Sequence, residues 1–301
     1  MRTSRTFLQV AFVFWCGCGA AGAAEPDGPI VPDRVIKLLD GSDFSGLYTW
    51  LKDSRYQDPR KVFAVQDGML HISGAGLGYI GARNEYADYH LVLEFKWGER
   101  TWGVRKHRTR DSGLLLHAVG PDGNFKDGQY DSQFPRSIDG GKSGGEYMTS
   151  VEAQIIEGGV GDIILIKGKD AQGASIPVSL TAEIGGDGFW KQGAERKTFS
   201  ANAGVPWFDH DRQWKDVTGF RGQRDVESPY GQWTRMDVVC DGAHVVVYVN
   251  GVLVNEAFAV SPSAGKILIQ CELAEVYIRR WELWPLGKGP GVKEGQATFS
   301  N

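Results

Sequence analysis

Along most of the chain apolar residues alternate with polar ones, in runs too short for helices. A period of two belongs to strands, whose successive side chains point to opposite faces. The pattern predicts strands at Val62–Gln66, Met69–Ser73, Leu77–Ala82, Tyr89–Trp97, Gly113–His117, Ser150–Ile156 and Asp162–Lys167. It resumes at Ile176–Ile184, Trp233–Cys240, His244–Val249, Val252–Phe258, Lys266–Cys271 and Ala274–Leu283. Asp67-Gly68, Asp241-Gly242 and Asn250-Gly251 sit between runs and supply the positive φ angles of tight hairpin turns. Many strands with antiparallel turns and no helical period predict an all-β fold, a two-sheet antiparallel jelly-roll sandwich.

Two stretches break the alternation. Residues 98–111 carry Arg100, Arg105, Lys106, Arg108 and Arg110. Residues 185–231 hold Trp190, Trp207, Phe208, His210, Trp214, Phe220 and Tyr230 among glycines and charges. Both read as long loops over one rim, since so many aromatics argue against disorder. Those rings either stack on sugar faces or anchor the loop. The basic stretch is either a solvated loop or a surface for an anionic or polar ligand.

Parity along the strands sorts the polar residues. In Tyr89–Trp97 the odd positions are apolar, which turns Glu94 to the other face beside His90 and Lys96. In Ser150–Ile156 the residues Val151, Ala153 and Ile155 share one face, and Ser150, Glu152 and Gln154 the other. Glu152 and Gln154 are then roughly 7 Å apart. Gln270 and Glu272 repeat the arrangement against Ile267, Ile269 and Cys271, and His117 ends an apolar run. If these strands share a sheet, its outer face is a polar hollow. The plain alternative is a face wetted by water, which any antiparallel sheet can show.

The leader changes the picture. Arg2 and Arg5 precede an apolar stretch from Phe7 to Trp15 and the small residues Gly19 to Ala24, the layout of a signal peptide cleaved after Ala24. The expectation is an exported, periplasmic or extracellular protein. A lipoprotein anchor at Cys18 is the rival, with Trp15 a poor match at its −3 position. The expected organisation is a leader over 1–24, an extended lead-in over 25–34, one jelly-roll domain over 35–286 and a tail over 287–301. No later segment has the apolar length of a membrane helix. Losing Arg2 and Arg5 leaves 31 basic against 37 acidic residues, which gives no reason to expect a nucleic-acid partner. Cys240 and Cys271 remain after the leader, and two free thiols are expected rather than a disulfide. There is no metal-ligand spacing, no phosphate loop and no nucleophile elbow, so neither metal nor cofactor is expected.

Taken in order, certain segments resemble a known family. They are Leu38-Leu39-Asp40-Gly41, Phe63-Ala64-Val65-Gln66-Asp67-Gly68, Asp111-Ser112-Gly113-Leu114-Leu115-Leu116-His117 and Ser150-Val151-Glu152-Ala153-Gln154-Ile155-Ile156-Glu157. Val247-Tyr248-Val249-Asn250-Gly251, Ile267-Leu268-Ile269-Gln270 and Val276-Tyr277-Ile278-Arg279 follow. From about Val35 to Leu286 the chain resembles the 3-keto-disaccharide hydrolase domain, long catalogued as DUF1080, with a concanavalin A-like lectin/glucanase jelly roll. It departs from the family where His117 and Glu157 stand in place of Arg and Asp. The resemblance implies cleavage of a glycoside oxidised at C3. A base removes the acidified C2 hydrogen and the C1 substituent leaves, which is elimination rather than two-carboxylate glycoside hydrolysis. It implies Glu152 or His117 as base, with Gln154, Arg279 and Gln270 on the sugar or enolate. Glu94 and Glu157 would orient hydroxyls or supply an acid. The partner is then an oligosaccharide or glycoside. The alternative from another class is a non-catalytic carbohydrate-binding module, because fold does not fix function.

Overall fold

The computed structural model describes residues 28–128, 130–134 and 136–291. The leader, residues 25–27 of the lead-in and residues 292–301 of the tail lie outside the described residues. The strands are β1 (Ile36–Lys37), β2 (Leu47–Leu51), β3 (Phe63–Gln66), β4 (Met69–Ile72), β5 (Leu77–Ala82) and β6 (Tyr89–Thr101). A single 3-10 turn, Gly103–His107, leads into β7 (Asp111–Val119), β8 (Thr149–Ile156), β9 (Ile163–Ile166) and β10 (Ser179–Ile184). Next come β11 (Glu195–Ser200), β12 (Gly204–Val205), β13 (Thr234–Asp241), β14 (His244–Val249), β15 (Val252–Ser261), β16 (Lys266–Glu272) and β17 (Ala274–Pro285).

These form two antiparallel sheets, a jelly-roll sandwich as expected. One sheet has ten strands, running β11-β10-β15-β14-β13-β6-β17-β4-β3 with β1 on β17. The other has seven, β12-β9-β8-β7-β16-β5-β2. The core between them follows the alternation. β6 contributes Tyr89, Leu91, Leu93, Phe95 and Trp97, β8 contributes Val151, Ala153 and Ile155, and β16 contributes Ile267, Ile269 and Cys271. The expected Asn250-Gly251 hairpin joins β14 to β15, with φ of 49° and 82°. Cys240 and Cys271 are buried free thiols, and burial pushes both up to about 12.

The stretch over 185–231 is less of a loop than its composition suggests. It contains β11, a strand exposed at nearly every position, and the two-residue β12. An exposed edge strand needs no apolar face, so its sequence Glu-Arg-Lys-Thr-Phe-Ser shows none. Trp190 and Trp207 from this stretch are buried to 1% exposure in the inter-sheet core, so they are anchors. Residues 98–111 likewise begin as the end of β6.

The outer face of the seven-stranded sheet is not open to water. The described residues between 120 and 148 fold over it as a roof, pinned at several points. Asp122 accepts hydrogen bonds from Tyr48, Tyr79 and Tyr56 at 2.6, 2.7 and 2.8 Å. The Trp50 indole donates to the Gly145 carbonyl at 3.1 Å. Buried Lys52 pairs with Glu146 and, at 2.7 Å, with Asp131. Hydrogen bonds to a charged group each contribute about 1.5–3 kcal/mol, so Asp122 is the chief pin. We predict that Asp122→Ala lowers stability by about 2 kcal/mol and speeds amide exchange over 120–148 while β6 and β13 stay protected. Unchanged exchange in the roof would show that its other contacts, the Lys52 pairs among them, hold it without Asp122.

Candidate functional site

Beneath the roof, β7, β8 and β16 lie side by side, and their outward positions carry a cluster of polar side chains. Glu152 stands on β8, opposite Leu115 of β7. Asp111 opens β7, and Gln270 and Glu272 end β16. All four are buried. Gly113 makes their meeting possible. A β-carbon there would collide with the Glu152 carboxyl and lie 2.6 Å from Gln270 Oε1.

Arg105, from the basic stretch, reaches into the cluster. Its Nη2 donates to Asp111 Oδ2 and, at 2.7 Å, to Glu272 Oε1. Tyr130 and Tyr147 of the roof donate to Glu272 at 2.7 and 3.1 Å. Asp111 and Glu272 thus share one buried guanidinium, and Glu152 lies close enough to feel the Glu272 charge. Burial drives Glu152 and Asp111 well above the usual carboxylate range, and for both the nearby Glu272 charge adds to the shift. Burial opposes the Arg105 charge, yet Asp111 and Glu272 outweigh it and raise its pKa. Burial and mutual repulsion therefore both favour the protonated forms of Glu152 and Asp111. Three of its buried atoms lack a hydrogen-bond partner: the acceptors Asp111 Oδ1 and Gln270 Oε1 and the donor Arg105 Nε. Buried polar atoms are mostly bonded in folded proteins, and three open ones in one cluster offer a ligand both a donor and acceptors.

The residues anticipated from sequence do not all converge. Glu152 and Gln270 meet, and Glu272, whose parity was visible, joins them. Gln154 shares the β8 face, but its side-chain carbonyl turns back to the Ile155 amide at 2.8 Å. His117 is elsewhere. The β7–β8 register shifts between Leu116 and Val119, and His117 takes the bulge with φ of 52°. Its ring faces Tyr89 of the inter-sheet core, with Nδ1 3.1 Å from the Pro262 carbonyl. Burial depresses its pKa to about 4, so it is a neutral packed side chain. Glu94 and Arg279 sit together, 2.5 Å apart, on β6 and β17 of the other sheet. The shared hollow expected for all these residues is thus divided between two sheets. Parity alone cannot say which sheet a strand joins.

Glu157 marks a second place, at the rim where both irregular stretches meet. Its Oε2 accepts from the Arg110 and Gly219 amides at 2.8 and 2.9 Å, and its Oε1 from Arg110 Nη1 at 2.6 Å. Beside it a cavity of about 280 Å³ is lined by Trp97, Glu157, Gly219, Arg221, Glu227, Pro229 and Tyr230. Burial, with Asp225 adding to it, raises Glu227 to about 8. Glu227 and Trp97 were not anticipated as site residues, because only tertiary contact distinguishes them from ordinary loop and core positions. Among the described residues there is no group of three or more His, Cys, Asp or Glu side chains suited to a metal ion.

The chain belongs to the 3-keto-alpha-glucoside-1,2-lyase-like domain family, whose pattern matches residues 34–283. No curated protein matches the chain. Among solved structures it is similar to a protein assigned by inference as a glycosyl hydrolase from Parabacteroides distasonis ATCC 8503. That similarity has 16% identity and a TM-score of 0.43 over 84% of this chain and 94% of that one. It is also similar to the carbohydrate-binding module CBM66 from Bacillus subtilis, with 9% identity and a TM-score of 0.38 over 79% and 94%. A third is the Bacillus licheniformis β-glucanase, with 10% identity and a TM-score of 0.39 over 84% and 98%. No helix among the described residues is long and apolar enough to cross a membrane.

The raised Glu227 gives a pH prediction. The folded chain keeps this proton up to about pH 8, while the unfolded chain releases it near the ordinary glutamate value of 4.5. Between those limits the native state binds more protons, so its stability falls as pH rises, by at most about 1.4 kcal/mol per unit. Glu227→Gln should remove that slope, and wild type should lose stability relative to the variant from pH 5 to pH 8. Parallel curves in denaturant titrations would show that Glu227 ionises normally.

Proposed function

We propose that the protein cleaves glycosides carrying a ketone at C3, by elimination followed by water addition, in the cluster beneath the roof. The observation that carries this reading is the set of unpartnered buried atoms around a carboxyl pair, Asp111 and Glu152, that burial loads with protons. Family membership over 34–283 supports the substrate class.

The C3 ketone acidifies the C2 hydrogen. A carboxylate takes that proton, an enolate forms, and the C1–O bond breaks with its electron pair leaving on the aglycone oxygen. A protonated carboxyl then supplies the proton that oxygen needs. Water adding at C1 of the unsaturated ketone yields the free 3-keto sugar, so the net change is hydrolysis without redox. Asp111 suits the base in its ionised form, which the Arg105 guanidinium on Oδ2 favours against burial, and its Oδ1 is free. Glu152 suits the acid. Arg105 Nε is the free donor for the enolate oxygen, and Gln270 Oε1 is a free acceptor for a sugar hydroxyl. The roof must lift for substrate to enter, and it then excludes water during the proton transfers. Glu157 is a poor base here because its oxygens already accept bonds from Arg110 and Gly219.

The test is turnover of a 3-keto-glucoside alongside the unoxidised glucoside. Wild type should release aglycone only from the keto compound. Glu152→Gln and Asp111→Asn should each lower kcat by about 10²–10⁴-fold with a smaller change in KM. Full activity in both variants would remove the cluster from the reaction. Binding without release of aglycone by wild type would favour a carbohydrate-binding module.

A further inference from the structure

The rim cavity is distinct from the roofed cluster, and neighbouring residues serve the two. Arg110 turns its side chain to the rim, where Nη1 meets Glu157, while Asp111 turns to the outer face. Charge at the rim is neutralised internally. Arg110 uses Nε on the Gly98 carbonyl at 2.9 Å and Nη1 on Glu157. Arg221 donates to the Ser228 and Glu227 carbonyls and pairs with Asp225 at 3.1 Å. Glu157 has its oxygens occupied, as described above. Its arginines therefore offer little to an anionic ligand.

What the cavity does offer is a flat apolar wall and a polar floor. Tyr230 is 50% exposed, unusual for so large a ring, and the Arg110 guanidinium holds it from one side, 4.5 Å from its centroid. Trp97 and Pro229 continue the wall. The floor is the Glu227 carboxyl: its Oε1 accepts from the Trp97 indole at 2.5 Å, while Oε2 has only the long Gly158 amide contact at 3.4 Å and Arg221 Nη1 at 3.7 Å, which leaves Oε2 open to a hydroxyl. Pockets for drug-sized ligands run from about 300 to 1,000 Å³, so a cavity of about 280 Å³ suits a single ring.

We propose that the rim cavity is a non-catalytic binding site for one neutral pyranose unit, its C–H face stacked on Tyr230 and a hydroxyl bonded to Glu227. A proton on Glu227 lets the carboxyl both donate to and accept from such a hydroxyl, and keeps the cavity neutral to about pH 8. The proposal does not depend on the keto-glycoside reaction.

The experiment is saturation-transfer NMR on the full chain with methyl β-D-glucopyranoside, an unoxidised probe. Transfer to the ring protons is expected in wild type and, undiminished, in Glu152→Gln. Tyr230→Phe should keep it. Tyr230→Ala should reduce it about fivefold or more. Tyr230→Leu, which retains apolar volume and so guards against a folding defect, should reduce it likewise. Absence of transfer in wild type overturns the proposal. So does equal transfer in Tyr230→Leu, or loss confined to Glu152→Gln, which would place the sugar beneath the roof.

Discussion

Everything at the roofed site depends on burying three carboxyl groups against one guanidinium. Charges removed from water must be paired or neutralised. Arg105 compensates part of the set formed by Asp111, Glu152 and Glu272, and protons must supply the remainder. The same condition that makes the cluster costly to fold makes it chemically useful, because burial favours a protonated carboxyl beside one that Arg105 helps to ionise. The roof enforces the condition. Without Asp122 on its tyrosines and Lys52 on Glu146, water would reach Glu152 and the shift would relax.

Much of this was legible from residue order. The inward set Val151, Ala153 and Ile155 fixed which way Glu152 points, and Asn250-Gly251 fixed a hairpin. The misplacements have specific causes. His117 stands out only as the end of an apolar run, and the bulge that consumes one residue after Leu116 has no period to detect. Glu94 was assigned its outward direction correctly and the wrong company, because face and sheet are separate facts. Asp111 was visible only as part of a segment. Its importance comes from Arg105, six residues away along an irregular path, and from Glu272 on β16.

The two ligand regions differ in how they treat charge. At the rim, Glu157 and both arginines are matched to local partners, which leaves a neutral cavity with an aromatic side. Under the roof the matching is incomplete, and Asp111 Oδ1, Gln270 Oε1 and Arg105 Nε remain without partners. Close pairing suits a site that only holds, whereas several open atoms around raised carboxyl groups suit one where charge moves. A glycoside long enough to touch both would present different units to each, with Arg110 and Asp111 side by side at the boundary.

The most direct test of the central claim is infrared spectroscopy of the carboxyl stretch at pH 7 in a Glu227→Gln background, which silences the rim acid. The account requires a protonated-carboxyl band that persists in this background and weakens when Glu152 is replaced by Gln or Asp111 by Asn. A spectrum showing only ionised carboxylates would mean that the buried cluster stores no proton, and the acid–base reading of the roofed site would be wrong.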